Sequence, residues 1–222
     1  MSTDSESSIS RLVPHTVQTK IAAMMTMITT FPNLAKRADA LAVMPGQGEY
    51  WRLVEAIRDY QSLDYDAQHL LIAGAYQEEK TWQPMTEERL RPAPYNLVNV
   101  KGVSIQPQAR HTPEQADWIV NQAYELGIEK VAVYVSPYHL PRAYLTVLRS
   151  MIKRHQDPWL WLLPVAVAVS PSKPIPETGR TAWELVAGEM ERIAVYQERG
   201  DVSHHSELQT YLSWLWHKIQ NL

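Results

Sequence analysis

Cysteine is absent from the 222-residue sequence, which removes disulfides, thiol nucleophiles and thiolate metal sites at once. An excess of either charge is missing as well. Lys and Arg number 21 against 24 Asp and Glu, a formal net charge of −3, so no overall basic field invites nucleic acid. No apolar run approaches the ~20 residues that a membrane span requires, and the most apolar early stretch, Ile21 to Ile28, is interrupted at Thr26. Repeats, heptad arrays and low-complexity linkers are also lacking. What is present is greasy surface: 45% of the residues are hydrophobic and 8 are tryptophan, enough for a sizeable core and against global disorder. The length suits one α/β domain with decorations better than two domains.

Residues 1–10 are polar and faintly acidic, without the basic start of a secretory signal. They read as a disordered tail on a cytoplasmic protein, with residues 11–222 as a single α/β domain. Val17, Ile21, Met24, Met25, Ile28 and Phe31 recur at helical spacing, which predicts an amphipathic helix near 15–31. From residue 40 onward, short apolar runs alternate with longer amphipathic segments, the pattern of βαβ units in a mostly parallel sheet. Strands are predicted at 40–44, 69–73, 102–105 and 130–135, and helices over 51–60, 112–126 and from Ser136-Pro137 to Met151. Thr112 is read as a helix N-cap, with Pro113 at N1 and Gln115 completing a capping box. Trp159–Leu163 and Val165–Val169 flank Pro164 and read as an interrupted edge strand or a strand followed by an extended segment. Residues 76–95, broken by three prolines, are expected to form a long excursion or lid. A second capping box at Thr181 and Glu184 opens a helix to about Arg199. A terminal helix near 206–220 follows, suited to packing on the domain or on a second chain of a homo-oligomer.

In open parallel sheets, ligands gather outside the carboxyl ends of the strands. Gly46, Gln47 and Gly48 follow the first strand, and Gly74 the second; their small residues admit a close backbone approach by an anion. Arg52, one turn into the next helix, could reach that anion or form a surface ion pair. There is no Walker lysine and no complete dinucleotide fingerprint. Ser136, His139 and Arg142 follow the fourth strand at spacings of three, so they point roughly one way if helical. Histidine can donate to an oxygen or take a proton, and arginine offers a bidentate fork to a carboxylate or phosphate. Ser136 lacks a nucleophile elbow. Thr112 could orient a ligand, and Glu114 is a candidate general base, a hydroxyl acceptor or a mere complement to the helix dipole. The histidines are scattered, and no metal site is proposed.

The segment Tyr134-Val-Ser-Pro-Tyr-His-Leu-Pro-Arg-Ala143 resembles a motif of the bacterial YdcF/SanA/ElyC-like family: Val-Thr-Ser, two variable residues, His, then Pro-Arg-Ala. Arg110-His-Thr-Pro-Glu-Gln115 is similar to the family's Asn-Thr-x-Glu-Asn, with His111 and Gln115 in place of the asparagines. Looser likenesses are Ile72-Ala-Gly-Ala75, where the family has Ser-Gly-Gly, and Met44-Pro-Gly-Gln-Gly48 with Arg52, where it has a Gly-rich loop and a helical arginine. The acidic helix start that follows Ser-Gly-Gly in the family is not recognisable in residues 76–95. The resemblance covers about residues 40–168 and implies a Rossmann-like three-layer sandwich with extra terminal helices and a polar strand-end pocket. It also implies S-adenosylmethionine as a ligand, through the YdcF-like members linked with it.

The expected function is therefore binding of an anionic or nucleotide-like small molecule by Gly46, Gln47, Gly48, Arg52, Gly74, Thr112, Glu114, Ser136, His139 and Arg142. On that reading, His139→Ala or Arg142→Ala abolishes binding and leaves the melting temperature nearly unchanged. One alternative is a hydrolase or transferase of phosphoryl or glycosyl groups with His139 or Glu114 as catalytic acid or base. Another is an interaction module using the tryptophan-rich terminal helix.

Overall fold

The computed structural model describes residues 34–154 and 158–221. The helix expected over 15–31 and the tail over 1–10 lie outside the described residues. A short 3-10 turn, Leu34–Arg37, leads into β1 (Ala40–Val43), α1 (Trp51–Tyr60), β2 (His69–Ile72), the one-turn α2 (Glu87–Leu90) and β3 (Val103–Ile105). The chain continues through α3 (Thr112–Glu125), β4 (Lys130–Val135), α4 (Leu140–Lys153), β5 (Trp161–Ala166), α5 (Ala182–Arg199) and α6 (His205–Gln220).

All five strands are parallel, in the order β3-β2-β1-β4-β5. The central strands are largely apolar because both faces are covered, as parallel sheets require; His69 and Lys130 stand only at the starts of β2 and β4, and the edge strand β3 is half-buried. Alternation still sorts their residues. Ala40, Ala42, Val131 and Val133 join a core with α3, α4 and α6, while Leu41, Val43, Ala132 and Tyr134 pack against α1 and the buried Met85, Leu90, Tyr95 and Leu97. The result is a Rossmann-like three-layer α/β sandwich.

The expected excursion over 76–95 is present as turns and a single helical turn, with its Met85, Leu90 and Tyr95 side chains buried in the sheet's second core. Several local expectations are revised. Pro164 does not interrupt its strand: β5 runs through it, in register with Val133. The strand is at the sheet edge, where a missing N–H is tolerated. The N-cap of α3 is His111, not Thr112; its extended backbone (φ −164°, ψ 167°) lets the ring accept from the Glu114 N–H. The helix after β4 starts at Leu140, not at Ser136-Pro137, with His139 as its N-cap. The Thr181 and Glu184 capping box forms as expected. In the terminal helix, Trp214 packs edge-on against Trp159, centroids 5.5 Å apart. None of the described helices is long and apolar enough to cross a membrane.

Candidate functional site

The chain leaves β1 toward β2 on one side of the sheet and returns to place β4 on the other. The loops after β1 and β4 therefore diverge at the carboxyl end of the sheet and leave a crevice there. The loop after β1 is bent by three positive φ angles, 159° at Gly46, 54° at Gln47 and 73° at Gly48. A Cβ on Gly48 would lie 2.8 Å from Pro176 and 2.9 Å from Thr81, so glycine is needed there for space as well as for conformation.

Beneath this loop lies a buried polar cluster. Arg52, on the first turn of α1, is 1% exposed and Glu49 is fully buried. The two form an ion pair. Arg52 also donates from Nε to Ser136 Oγ at 2.9 Å and from Nη1 to the Met44 carbonyl at 2.9 Å. Ser136 Oγ donates to Glu49 Oε1 at 2.6 Å, and the Tyr138 hydroxyl donates to Glu49 Oε2 at 2.6 Å. Burial pulls the Arg52 guanidinium down to about 10, so it remains charged near neutrality. These bonds lock Arg52 by its partners and fix the β1 and β4 loops to each other.

A second cluster lies across the crevice. Arg142, on the first turn of α4, donates from Nε to Glu189 Oε2 at 2.5 Å and from Nη2 to Glu189 Oε1 at 3.2 Å, a bidentate clasp. Its Nη1 donates to Thr112 Oγ1 at 3.0 Å. Glu189 comes from α5 and also accepts from Arg192 at 2.6 Å. A buried carboxylate thus orients each cleft arginine and offsets part of its charge.

Between the clusters is a cleft of about 100 Å³ whose walls include Gly46, Gln47, Arg52, Thr112, His139 and Arg142. Glu79, Arg110 and Gln115 add further polar groups. Tyr76, Ala109 and Arg110 continue into an adjoining space of about 430 Å³, with Glu114 on its wall. His139 is 7% exposed, and its buried Nε2 has no hydrogen-bond partner. Burial, followed by the charges of Arg142, Arg52 and Arg192, holds the imidazole well below its ordinary value, so it is neutral at pH 7. The buried Oε1 of Gln47 is likewise unpartnered. Unpaired buried polar atoms are costly, and these two belong to residues that line the cleft.

Of the residues singled out from the sequence, Gly46, Gln47, Arg52, Thr112, His139 and Arg142 share the inner cleft. Ser136 braces the wall from behind, through Arg52 and Glu49. Gly48 packs against Pro176 and Thr81, and Gly74 against the Gln108 backbone, so neither faces the cleft. Glu114 lines the outer space and is engaged by Arg110, from its N–H and its Nε, both at 2.6 Å. The Arg110 contacts hold its carboxyl below the usual range.

Three carboxylates escaped the sequence reading. Glu189 had a legible signal, since it falls on the stripe Ala182, Leu185, Glu189, Ile193 that α5 buries; an acid on an apolar face needs a cation opposite. Glu49 sits three residues before Arg52, a spacing that only a helical turn makes meaningful. Glu79 had none, because a turn between remote segments brings it to the loop. Gln115, expected to cap its own helix, instead donates to the Pro45 carbonyl at 2.9 Å and to the Gly74 carbonyl. It ties the β1 loop, the β2 end and α3 together. Among the described residues, no cluster of three His, Asp or Glu side chains suits a metal. No family model matches the sequence, and no curated protein matches it either.

Proposed function

We propose that this chain is a cytoplasmic protein that binds an anionic small molecule in the cleft between the β1 and β4 loops. The observation that carries the reading is His139, a residue of the cleft lining whose buried Nε2 has no partner among the described residues and is free to donate to an anion as the Nε2–H tautomer. Arg52, Arg110 and Arg142 line the same cleft with one acid, Glu79, and although each arginine is paired with a carboxylate, Glu49, Glu114 and Glu189 in turn, the guanidinium groups are among the residues that face a ligand. A volume of about 100 Å³ is roughly that of three waters at ~30 Å³ each, which suits one carboxylate or phosphate. The adjoining 430 Å³ past Tyr76 suits the body of a nucleoside-like or sugar-like ligand. The resemblance to the YdcF/SanA/ElyC-like family places S-adenosylmethionine among the candidates, with its amino-acid carboxylate in the inner cleft.

The test is a thermal-shift and calorimetric screen against S-adenosylmethionine, S-adenosylhomocysteine, nucleotides and sugar phosphates. A ligand at one hundred times its Kd stabilises the fold by about 2.7 kcal/mol and is readily seen. His139→Ala is expected to weaken the bound compound by about tenfold or more, the loss of a hydrogen bond in a desolvated site. Because the ring is buried beside Tyr138, His139→Ala also loses packing, and His139→Gln, which keeps more of the volume, separates that loss from the loss of binding. Absence of any shift across the panel would refute the reading.

The neutral state of His139 also favours a catalytic version, in which the imidazole takes a proton from a substrate hydroxyl or water while the arginines stabilise developing negative charge. Glu114, held in its charged form by Arg110, is less suited to share that role. Turnover of phosphoryl or glycosyl substrates that disappears in His139→Ala would support this version; equal rates in both proteins would sink it.

A further inference from the structure

The anion position on the β1 loop is already filled from within the chain. Glu79 Oε2 accepts from the Gln47 N–H at 2.7 Å, and its Oε1 lies 3.7 Å from where a Cβ on Gly46 would stand. This is the N–H that an approaching phosphate or carboxylate would be expected to use, at the bend where the first strand turns toward its helix. Burial, with repulsion from Glu177, raises the Glu79 carboxyl above its ordinary value against the opposing pull of the Gln47 N–H and Arg52. Burial thus works against the charged form, while the Gln47 N–H and Arg52 favour it.

Glu79 belongs to a strap of turns that crosses the loop. The Glu79 N–H donates to the Tyr76 carbonyl and the Trp82 N–H to the Glu79 carbonyl. A second clasp pins the strap: Glu177 accepts from the Lys80 N–H at 3.0 Å, the Thr81 N–H at 2.9 Å and Thr81 Oγ1 at 2.8 Å. The Glu177 N–H in turn donates to the Gln47 carbonyl at 3.1 Å. One glutamate thus occupies the N–H of the Gln47 peptide, and another holds both its carbonyl and the strap.

We propose that Glu79 is a built-in competitor at the anion position, so that a carboxylate or phosphate ligand enters only as the strap of residues 76–82 swings off the loop. The idea rests on the anion-binding reading of the cleft and adds the gate. The ligand must then displace one anion by another, and its apparent affinity is reduced by the small fraction of chains with the strap open.

Calorimetric titration of the full chain with inorganic phosphate and, separately, with succinate tests this in the wild type, Glu79→Gln and Glu79→Ala. The anion that binds more tightly distinguishes a phosphate head group from a carboxylate. Glu79→Ala is expected to bind the preferred anion at least about tenfold more tightly than the wild type. Glu79→Gln, whose amide oxygen can still accept from Gln47 but carries no charge, is expected to fall between them. Amide exchange at Lys80 and Thr81 should quicken when the wild type is saturated, a readout that needs no variant to fold. Wild-type binding that equals or exceeds that of both variants, with no change in exchange, would overturn the gate and leave the anion reading standing. Failure of all three proteins to bind either anion would overturn both.

Discussion

His139 shows how one residue's surroundings become a property of the whole chain. Its folded-state pKa is depressed well below 6.5 by burial and by Arg142, Arg52 and Arg192. As pH falls below about 6.5, the unfolded chain takes a proton that the native ring refuses, so this residue's contribution to stability is complete above 6.5 and is lost on acidification. The slope from one such group is at most about 1.4 kcal/mol per pH unit. Urea unfolding of the wild type between pH 7 and pH 5 should show this loss, and His139→Gln should flatten the curve by that amount. Equal pH dependence in both proteins would show that the ring titrates normally. The residue type and spacing of His139 were legible in the sequence, since Ser136, His139 and Arg142 follow an obvious strand. Its neutrality was not, because desolvation depends on what α5 and the β1 loop place over it.

At the scale of elements, the local rules succeeded where a signal had one interpretation. The Thr181 box could open only one helix. They failed where two signals competed: Pro137 and Pro141 each satisfy the first turn of a helix, and only packing selects Leu140 as the start. Glycines illustrate the same limit. Gly74 follows a strand and Gly127 a helix, and a Cβ on Gly74 would lie 2.4 Å from the Gln108 backbone, whereas one on Gly127 would meet open space at φ 67°. Gly74→Ala is therefore expected to cost about 3 kcal/mol or more, since backbone must move. Gly127→Ala should cost about 1 kcal/mol, the strain of a left-handed alanine. Chemical denaturation of the two variants would check the ordering, and similar losses would contradict it.

For the whole molecule, the tie between α4 and α5 has the widest effect. Arg142 and Glu189 join the strand-end cleft to a helix that begins beyond the sheet. Arg142→Ala leaves the buried Glu189 carboxylate with Arg192 as its remaining cation and should destabilise the protein by about 1.5–3 kcal/mol. This replaces the expectation that Arg142 acts on ligand alone. Arg142→Met with Glu189→Leu, which removes both charges, should recover much of the loss. If the single variant melts like the wild type, the clasp is not a support of the fold.

The alternation of apolar runs with amphipathic segments determined by itself that this chain would stack βαβ units into a mostly parallel sheet, and that the candidate polar groups would lie in the loops at the strand ends. Both follow from periodicity, which is a local property. Which polar groups meet was decided only by the tertiary structure. Glu49 with Ser136, Glu189 with Arg142 and Glu79 with Gln47 are separated by 87, 47 and 32 residues. Their attraction acts only after the strand order β3-β2-β1-β4-β5 has brought them to one end of the sheet and excluded the water that would otherwise screen them.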